Sequence, residues 1–273
     1  MITIKQIQNN ATVTDGNDTV TLGAGDSYTC SAPEEKLDFI ITVDTTIADV
    51  SPSDSVNIAF QSGNFLVKWG DGVEEYYNLA SATVLTHQYQ NGGNYDVEFL
   101  GSGFIRNTGA LADRKKITSI KQWGKFNYAQ LSFSFQNAIN ITSFPLEDTL
   151  STINSFQNSF QNVPISNFGK IDMSSCTRSD SMFNGSSFNY NIGNWNMARN
   201  TFMANMFLGT SMSQANCDAI LTGWTRWANG QANITLKSNV SIHMGNTDYT
   251  RGGDAEDAFN HLVNTLNWTI TFG

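Results

Sequence analysis

The stretch FQNAINITSF at residues 135–144 returns in altered form as FQNVPISNF at 160–168 and again within FNGSSFNYNIGNW at 183–195. The apolar residues keep their places while the Asn, Ser and Gln around them are exchanged. One set of anchors, Phe135, Phe160, Phe183 and Phe207, advances by 25, 23 and 24 residues. A second set has the form Ile-x-x-[Phe/Trp] and occurs as Ile120-Trp123, Ile141-Phe144, Ile165-Phe168 and Ile192-Trp195. Its steps are 21, 24 and 27 residues. Two independent anchors sharing a period of roughly 24 residues predict stacked coils, in which each coil buries only the side chains that lie over their equivalents in the next. Burying one Phe or Ile contributes about 1.5–3 kcal/mol, so those positions stay fixed while wet positions drift. Asn suits the bends, because it tolerates a left-handed backbone or bonds nearby carbonyls.

A period in the twenties is that of a leucine-rich-repeat-like solenoid. Cys217, Ile220, Leu221 and Trp224 then fall at helical spacing after Ser213, an N-cap residue, with Asn229-Gly230 as a stop. A second helix is expected after Asp254 as cap, with Ala255, Ala258, Phe259, Leu262, Val263 and Leu266 on one stripe. Alternating Trp268, Ile270 and Phe272 predict a closing strand. Helix and strand together would cover the last coil.

Upstream the chain is β in pattern. TVTDGNDTVTL at 12–22 sets Thr-Val-Thr against Thr-Val-Thr across Asp15-Gly16, a hairpin signal. LDFIITVDT, VNIAF, FLVKW and the run from Tyr95 to Phe99 follow as short strands separated by turn clusters, which suggests an antiparallel sandwich. The expected division is a β segment over 1–32, a sandwich over 33–110, and the solenoid with its cap over 111–273.

Composition narrows the function. Charged residues are 14% of the chain, against about 25% in a typical soluble domain, and 31 Asn supply much of the polarity. A net charge of −9 without a basic run longer than Arg114-Lys115-Lys116 argues against nucleic-acid partners. No apolar stretch approaches the roughly 20 residues of a membrane helix, so no membrane insertion is expected. The opening residues lack the apolar segment of a secretory signal. Cys30, Cys176 and Cys217 form neither a disulfide framework nor a metal-ligand spacing, and buried thiols are expected. His87, His243 and His261 stand apart from any nucleophile motif, and the carboxylates Asp71, Glu74 and Glu75 are expected in a solvated loop. No catalytic residue, cofactor or metal site is assigned. Aromatics outside the anchors, Tyr76, Tyr77, Tyr190 and Trp227, are the candidate surface-binding residues.

Two resemblances add to this reading. VKWGDG, HQY and GNYDV, with Trp69, Gly70, Asp71, Gly72, His87, Tyr89, Gly93, Tyr95 and Val97 in order, resemble the polycystic-kidney-disease (PKD) repeat, an immunoglobulin-like sandwich of surface proteins. That likeness implies a structural hydrogen bond for His87. MFNGSSFNYNIGNWNM at 182–197 and the tail at 249–273 resemble BspA-like leucine-rich-repeat surface proteins. The earlier repeats depart from that pattern, with Ser-Phe in place of Met-Phe. Together they imply a mainly β chain, an immunoglobulin-like β-sandwich followed by a short leucine-rich-repeat-like solenoid with a helical C-terminal cap. They also imply a surface module acting by contact. Without a secretory signal, the expectation is a non-enzymatic bacteriophage virion protein, whether tail fibre, receptor-binding protein or capsid decoration. Its partners would be other virion proteins, a host-surface glycan or protein, and further copies of itself. A secreted bacterial adhesin, and an accessory module of a polysaccharide-degrading enzyme, are the alternatives.

Overall fold

A computed structural model describes residues 38–107, 110–128, 130–132, 134–146, 149–150, 153–165, 170–226 and 235–273, with four short strands inside 1–37. The chain is mainly β and divides into two compact units, 1–37 and 38–273. In the first, β1 (Ile2–Ile4) pairs antiparallel with β4 (Tyr28–Cys30), and β2 (Ala11–Asp15) pairs antiparallel with β3 (Asp18–Leu22). The second pairing is that of the expected hairpin, Thr12 facing Thr21 and Val13 facing Val20.

The second unit opens with β5 (Phe39–Asp44), β6 (Ser55–Lys68), β7 (Glu74–Leu79), β8 (Thr83–Gln88) and β9 (Asn94–Ile105). Strands β10 (Ile117–Gln122) and β11 (Asn127–Tyr128) complete one hydrogen-bonded sheet of seven. Strand β6 organises it. Its first half pairs with β8, and its second half lies between β7 and β9. Residues 60 and 65 of a regular strand would face opposite sides. A register shift between Phe60 and Ser62 resets the alternation, so Phe60 and Phe65 enter the same core with rings 4.3 Å apart.

Both sides of the boundary expected at 110/111 fall within the second compact unit. Strand β10 pairs antiparallel with β5 on one edge, and on the other it starts the coils. Ile120 N donates to Ser143 O (3.1 Å), and Thr142 N donates to Thr118 O (2.9 Å). Phe39 joins the two cores, its ring parallel to Trp123 at 6.0 Å and edge-on to Phe135 at 6.3 Å. Lys116, the last residue of the one basic triplet, is wholly buried. Its Nζ donates to the carbonyls of Ser51, Pro52 and Ser55 and to Ser51 Oγ, tying the strand's entry to the β5–β6 loop.

The anchor phenylalanines form one column. Phe135, Phe160, Phe183 and Phe207 stack at 5.9, 6.1 and 5.9 Å with planes 7°, 14° and 15° apart, and all four are fully buried. Their N–H groups donate to Ser159 O, Met182 O, Met206 O and His243 O respectively, each on the next coil. The bends explain the amides. Two residues after each column phenylalanine the backbone is left-handed: Asn137 (φ 62), Asn162 (58), Gly185 (67) and Gly209 (75). Two residues before, Asn158, Ser181 and Asn205 repeat this at φ 53–58. Those are conformations that Gly and Asn adopt at low cost. Between coils, Asn162 Nδ2 donates to Asn137 Oδ1 (2.7 Å).

The coils carry short parallel pairings, including β12 (Thr149–Leu150) with β13 (Lys170–Ile171) and bridges Ser155–Arg178–Phe202. Helix α1 (Gln214–Arg226) buries Cys217, Ile220, Leu221 and Trp224, and Asn216 N reaches Ser213 Oγ (3.3 Å) as expected of that cap. Strand β14 (Ser241–His243) pairs parallel with β15 (Thr269–Thr271), the expected closing strand. Helix α2 (Asp254–Asn260) departs from expectation at its start: Gly253, at φ 72, holds the cap position and Asp254 is already helical. The helix then widens over His261–Thr265, where Leu266 N bonds His261 O, five residues back. Among the described residues no helix is long and apolar enough to cross a membrane, and no group of three His, Cys, Asp or Glu could hold a metal ion. Burial pushes the thiols of Cys176 and Cys217 up to about 11 and about 12, so neither is nucleophilic near neutral pH; the Cys30 side chain lies outside the described residues.

Phe160 packs between two rings of the column, so Phe160→Ala opens a cavity that neither neighbour can fill without moving its own coil. The expected loss is about 3–5 kcal/mol in urea denaturation. A loss below about 1 kcal/mol would show that the column does not hold the coils.

Candidate functional site

The sequence candidates separate in space. Tyr76 on β7 is 66% exposed, and its hydroxyl bonds Asn64 Oδ1. Neighbouring Tyr77 points the other way, as strand alternation requires, and packs on Phe65 at 6.0 Å. Its hydroxyl donates to Glu75 Oε2 (2.5 Å), and Trp69 Nε1 donates to the same oxygen (2.8 Å). Tyr77 is therefore part of a structural network rather than a free surface ring. Trp227 lies outside the described residues.

The PKD-like residues converge on that network. The His87 ring lies parallel to Trp69 at 4.6 Å and edge-on to Tyr89 at 4.5 Å, and Tyr89 stacks on Tyr95 at 3.7 Å. His87 Nε2 and Asp71 Oδ2 are 2.9 Å apart. Asp71 also accepts from Val73 N, closing the Gly70–Gly72 turn, where both glycines have positive φ. Burial acts to raise Asp71, but the bonds from His87 and Val73 outweigh it and hold the carboxyl below its usual range. Bonds from Tyr77 and Trp69 do the same for Glu75. These carboxylates were expected in a solvated loop. Asp71 and Glu74 are exposed, while Asp71 and the half-buried Glu75 are also hydrogen-bonded into the fold, which suits structural roles.

Tyr190 lies in a different setting. Its ring meets Phe188 edge-on at 5.5 Å, and Phe188 stacks on the column ring of Phe183 at 4.1 Å. The tyrosine is thus oriented by the core while staying partly exposed at a groove of about 470 Å³. One wall is the 190–196 loop, with Asn191, Asn194 and Asn196; the other is Thr149 and Lys170 to Met173. Asn191 Oδ1 accepts from Gly193 N (2.9 Å) and Asn196 Oδ1 from Ala198 N (3.1 Å). Those bonds hold each amide oxygen against its own loop's backbone.

Helix α1 braces this loop from behind. Trp224 Nε1 donates to Ile192 O (3.1 Å), Asn216 Nδ2 donates to Asn189 O (2.9 Å), and Ser213 N donates to Asn189 Oδ1 (2.8 Å). Gly193 and Gly223 touch backbone to backbone; a Cβ on Gly223 would fall inside contact distance of Gly193 Cα and O.

A second groove, about 480 Å³, runs along the bridged positions of the coils. Phe202 stands in it 52% exposed, with the Arg178 guanidinium 4.8 Å from its ring centre. Arg178 Nε donates to Asp180 Oδ1 (2.6 Å), and Asn158, Asn205 and Asn239 are among the other lining residues. Sequence reasoning missed Phe202, because nothing in its own neighbourhood marks it as exposed; only its offset of five from the column anchor Phe207 carries that signal.

No family model, no curated protein and no solved structure matches this chain.

Two outcomes are expected. Because the fold favours the ionised form of Glu75, its contribution is present above the usual carboxylate range and is lost as pH falls below about 4.5. Glu75→Gln should cost about 1–3 kcal/mol at pH 7, and the gap to the parent should narrow by pH 3 in denaturant titrations. For Gly223→Ala, helix propensity would gain about 1 kcal/mol. Overpacking against backbone costs about 1–3 kcal/mol and should win, lowering the melting temperature.

Proposed function

We propose that this chain is a non-enzymatic bacteriophage virion protein that works by contact with protein or glycan at the particle surface. In this reading residues 33–110 are an immunoglobulin-like sandwich of PKD type, and residues 111–273 are a BspA-like leucine-rich-repeat solenoid with its cap. The N-terminal β segment, residues 1–32, is the docking element. Supporting the first is the assembly of Trp69, Asp71, His87, Tyr89 and Tyr95 into one network. Supporting the second is the common phenylalanine column.

The observation that carries the contact function is the Phe202–Arg178 pair. A large aromatic more than half exposed, beside a guanidinium and ringed by amides, has the composition of an interface anchor. It serves no core, since Met203 and Met206 beside it fill the buried positions. Mass spectrometry of purified particles should find the chain at structural copy number, and its absence would end the virion reading. Phe202→Ser should leave the melting temperature within about 2 °C while weakening particle assembly or host attachment about tenfold or more. An unchanged attachment and assembly would remove the pair from the interface.

A further inference from the structure

The two grooves differ in chemistry, and the difference assigns the Tyr190 groove a ligand class of its own. Its apolar lining, Ile171, Met173, Ile192 and Trp195, is buried. None of the exposed large apolar side chains of the described residues lines it, in contrast to Phe202 in the other groove. A protein ligand would find no apolar anchor to desolvate there. What the groove offers is one tyrosine ring, whose hydroxyl has no partner among the described residues, and a row of amides. The Nδ2 groups of Asn191, Asn194 and Asn196 also lack partners among the described residues. Lys170 and Asp172 give the lining one positive and one negative residue, so it carries no excess charge of either sign.

We propose that this groove binds an uncharged oligosaccharide segment, with one sugar face on the Tyr190 ring and its hydroxyls on the asparagine amides. The fit has three parts. Its volume of about 470 Å³ lies within the range of small-ligand sites, roughly 300–1,000 Å³. An aromatic face with a polar edge matches a sugar ring, which carries C–H groups on its faces and hydroxyls around its rim. The amide wall is rigid before any ligand arrives, because α1 clamps it through Trp224, Asn216 and the Gly193–Gly223 contact, so little ordering cost remains for binding. This inference rests on the contact function proposed above and names one of its ligands.

The full chain would be probed on an array of neutral, sialylated and sulfated glycans, and hits titrated by calorimetry. Neutral oligosaccharides should be retained in preference to charged ones. Tyr190→Ala should weaken binding about tenfold and Tyr190→Phe by less, since the ring remains. Phe202→Ser should leave glycan affinity unchanged. Should Tyr190→Ala fail to fold, Asn194→Ala in the exposed wall, with saturation-transfer NMR on the parent chain, reads the same contact. A preference for charged glycans, no retention of any neutral glycan, or an affinity indifferent to both Tyr190 and Asn194 would overturn the inference. A chain found in particles that binds no neutral glycan overturns this inference alone. A glycan-binding chain missing from particles overturns only the virion reading.

Discussion

The four column phenylalanines are held twice, ring against ring and N–H into the carbonyl of the coil beyond. Neither bond would suffice singly. A stacked aromatic pair adds about 0.5–1.5 kcal/mol beyond its burial, and a net backbone hydrogen bond about 1 kcal/mol. Ordering each residue's backbone costs a similar amount, so no coil is stable except against its neighbours. The left-handed positions two residues after each phenylalanine, and two before Phe160, Phe183 and Phe207, follow from the same demand. The chain must turn sharply at both ends of the stacked segment to bring the next ring back over the last.

That constraint reaches both the site and the sheet. Through Phe188, the column orients Tyr190; through Phe39, it connects to the core of the seven-stranded sheet. Strand β10 makes the junction in backbone terms, antiparallel to β5 on one side and parallel to the first coil on the other. The buried Lys116 secures its entry, with three backbone carbonyls and a hydroxyl facing one ammonium. An arrangement of this kind is costly to break from one side, since removing the charge leaves several acceptors unsatisfied.

Much of this was legible beforehand because it is periodic or local. The phenylalanine spacing gave the column, the suitability of Asn for tight corners anticipated the bends, and the i, i+3, i+4, i+7 run from Cys217 gave α1. His87 took the structural hydrogen bond that the PKD resemblance implied. The misses lie where a residue's partners, near or far, are set by the fold rather than by its own pattern. Nothing near Lys116 says that the carbonyls of Ser51, Pro52 and Ser55 will enclose it, so the triplet entered the sequence reading only as the longest basic run. Glu75 read as solvated because its donors, Trp69 and Tyr77, lie on either side of the Gly-Asp-Gly turn. The Tyr190 groove was visible only as one leftover aromatic, since its walls come from positions 149, 170–173 and 190–196 on different coils. The start of α2 was misplaced by one residue, where a left-handed glycine took the position that an acidic side chain can also fill.

The stack is bounded at one end by the sheet through β10 and at the other by the β14–β15 pair. A coil presents the same bonding edge upward that it receives from below, so the number of rungs is not fixed by either lid. Gaining or losing one rung would lengthen or shorten the wall by a single inter-strand spacing, about 4.8 Å. The grooves would move relative to the sheet while their chemistry stayed intact. Reach, in such a molecule, can be tuned independently of grip.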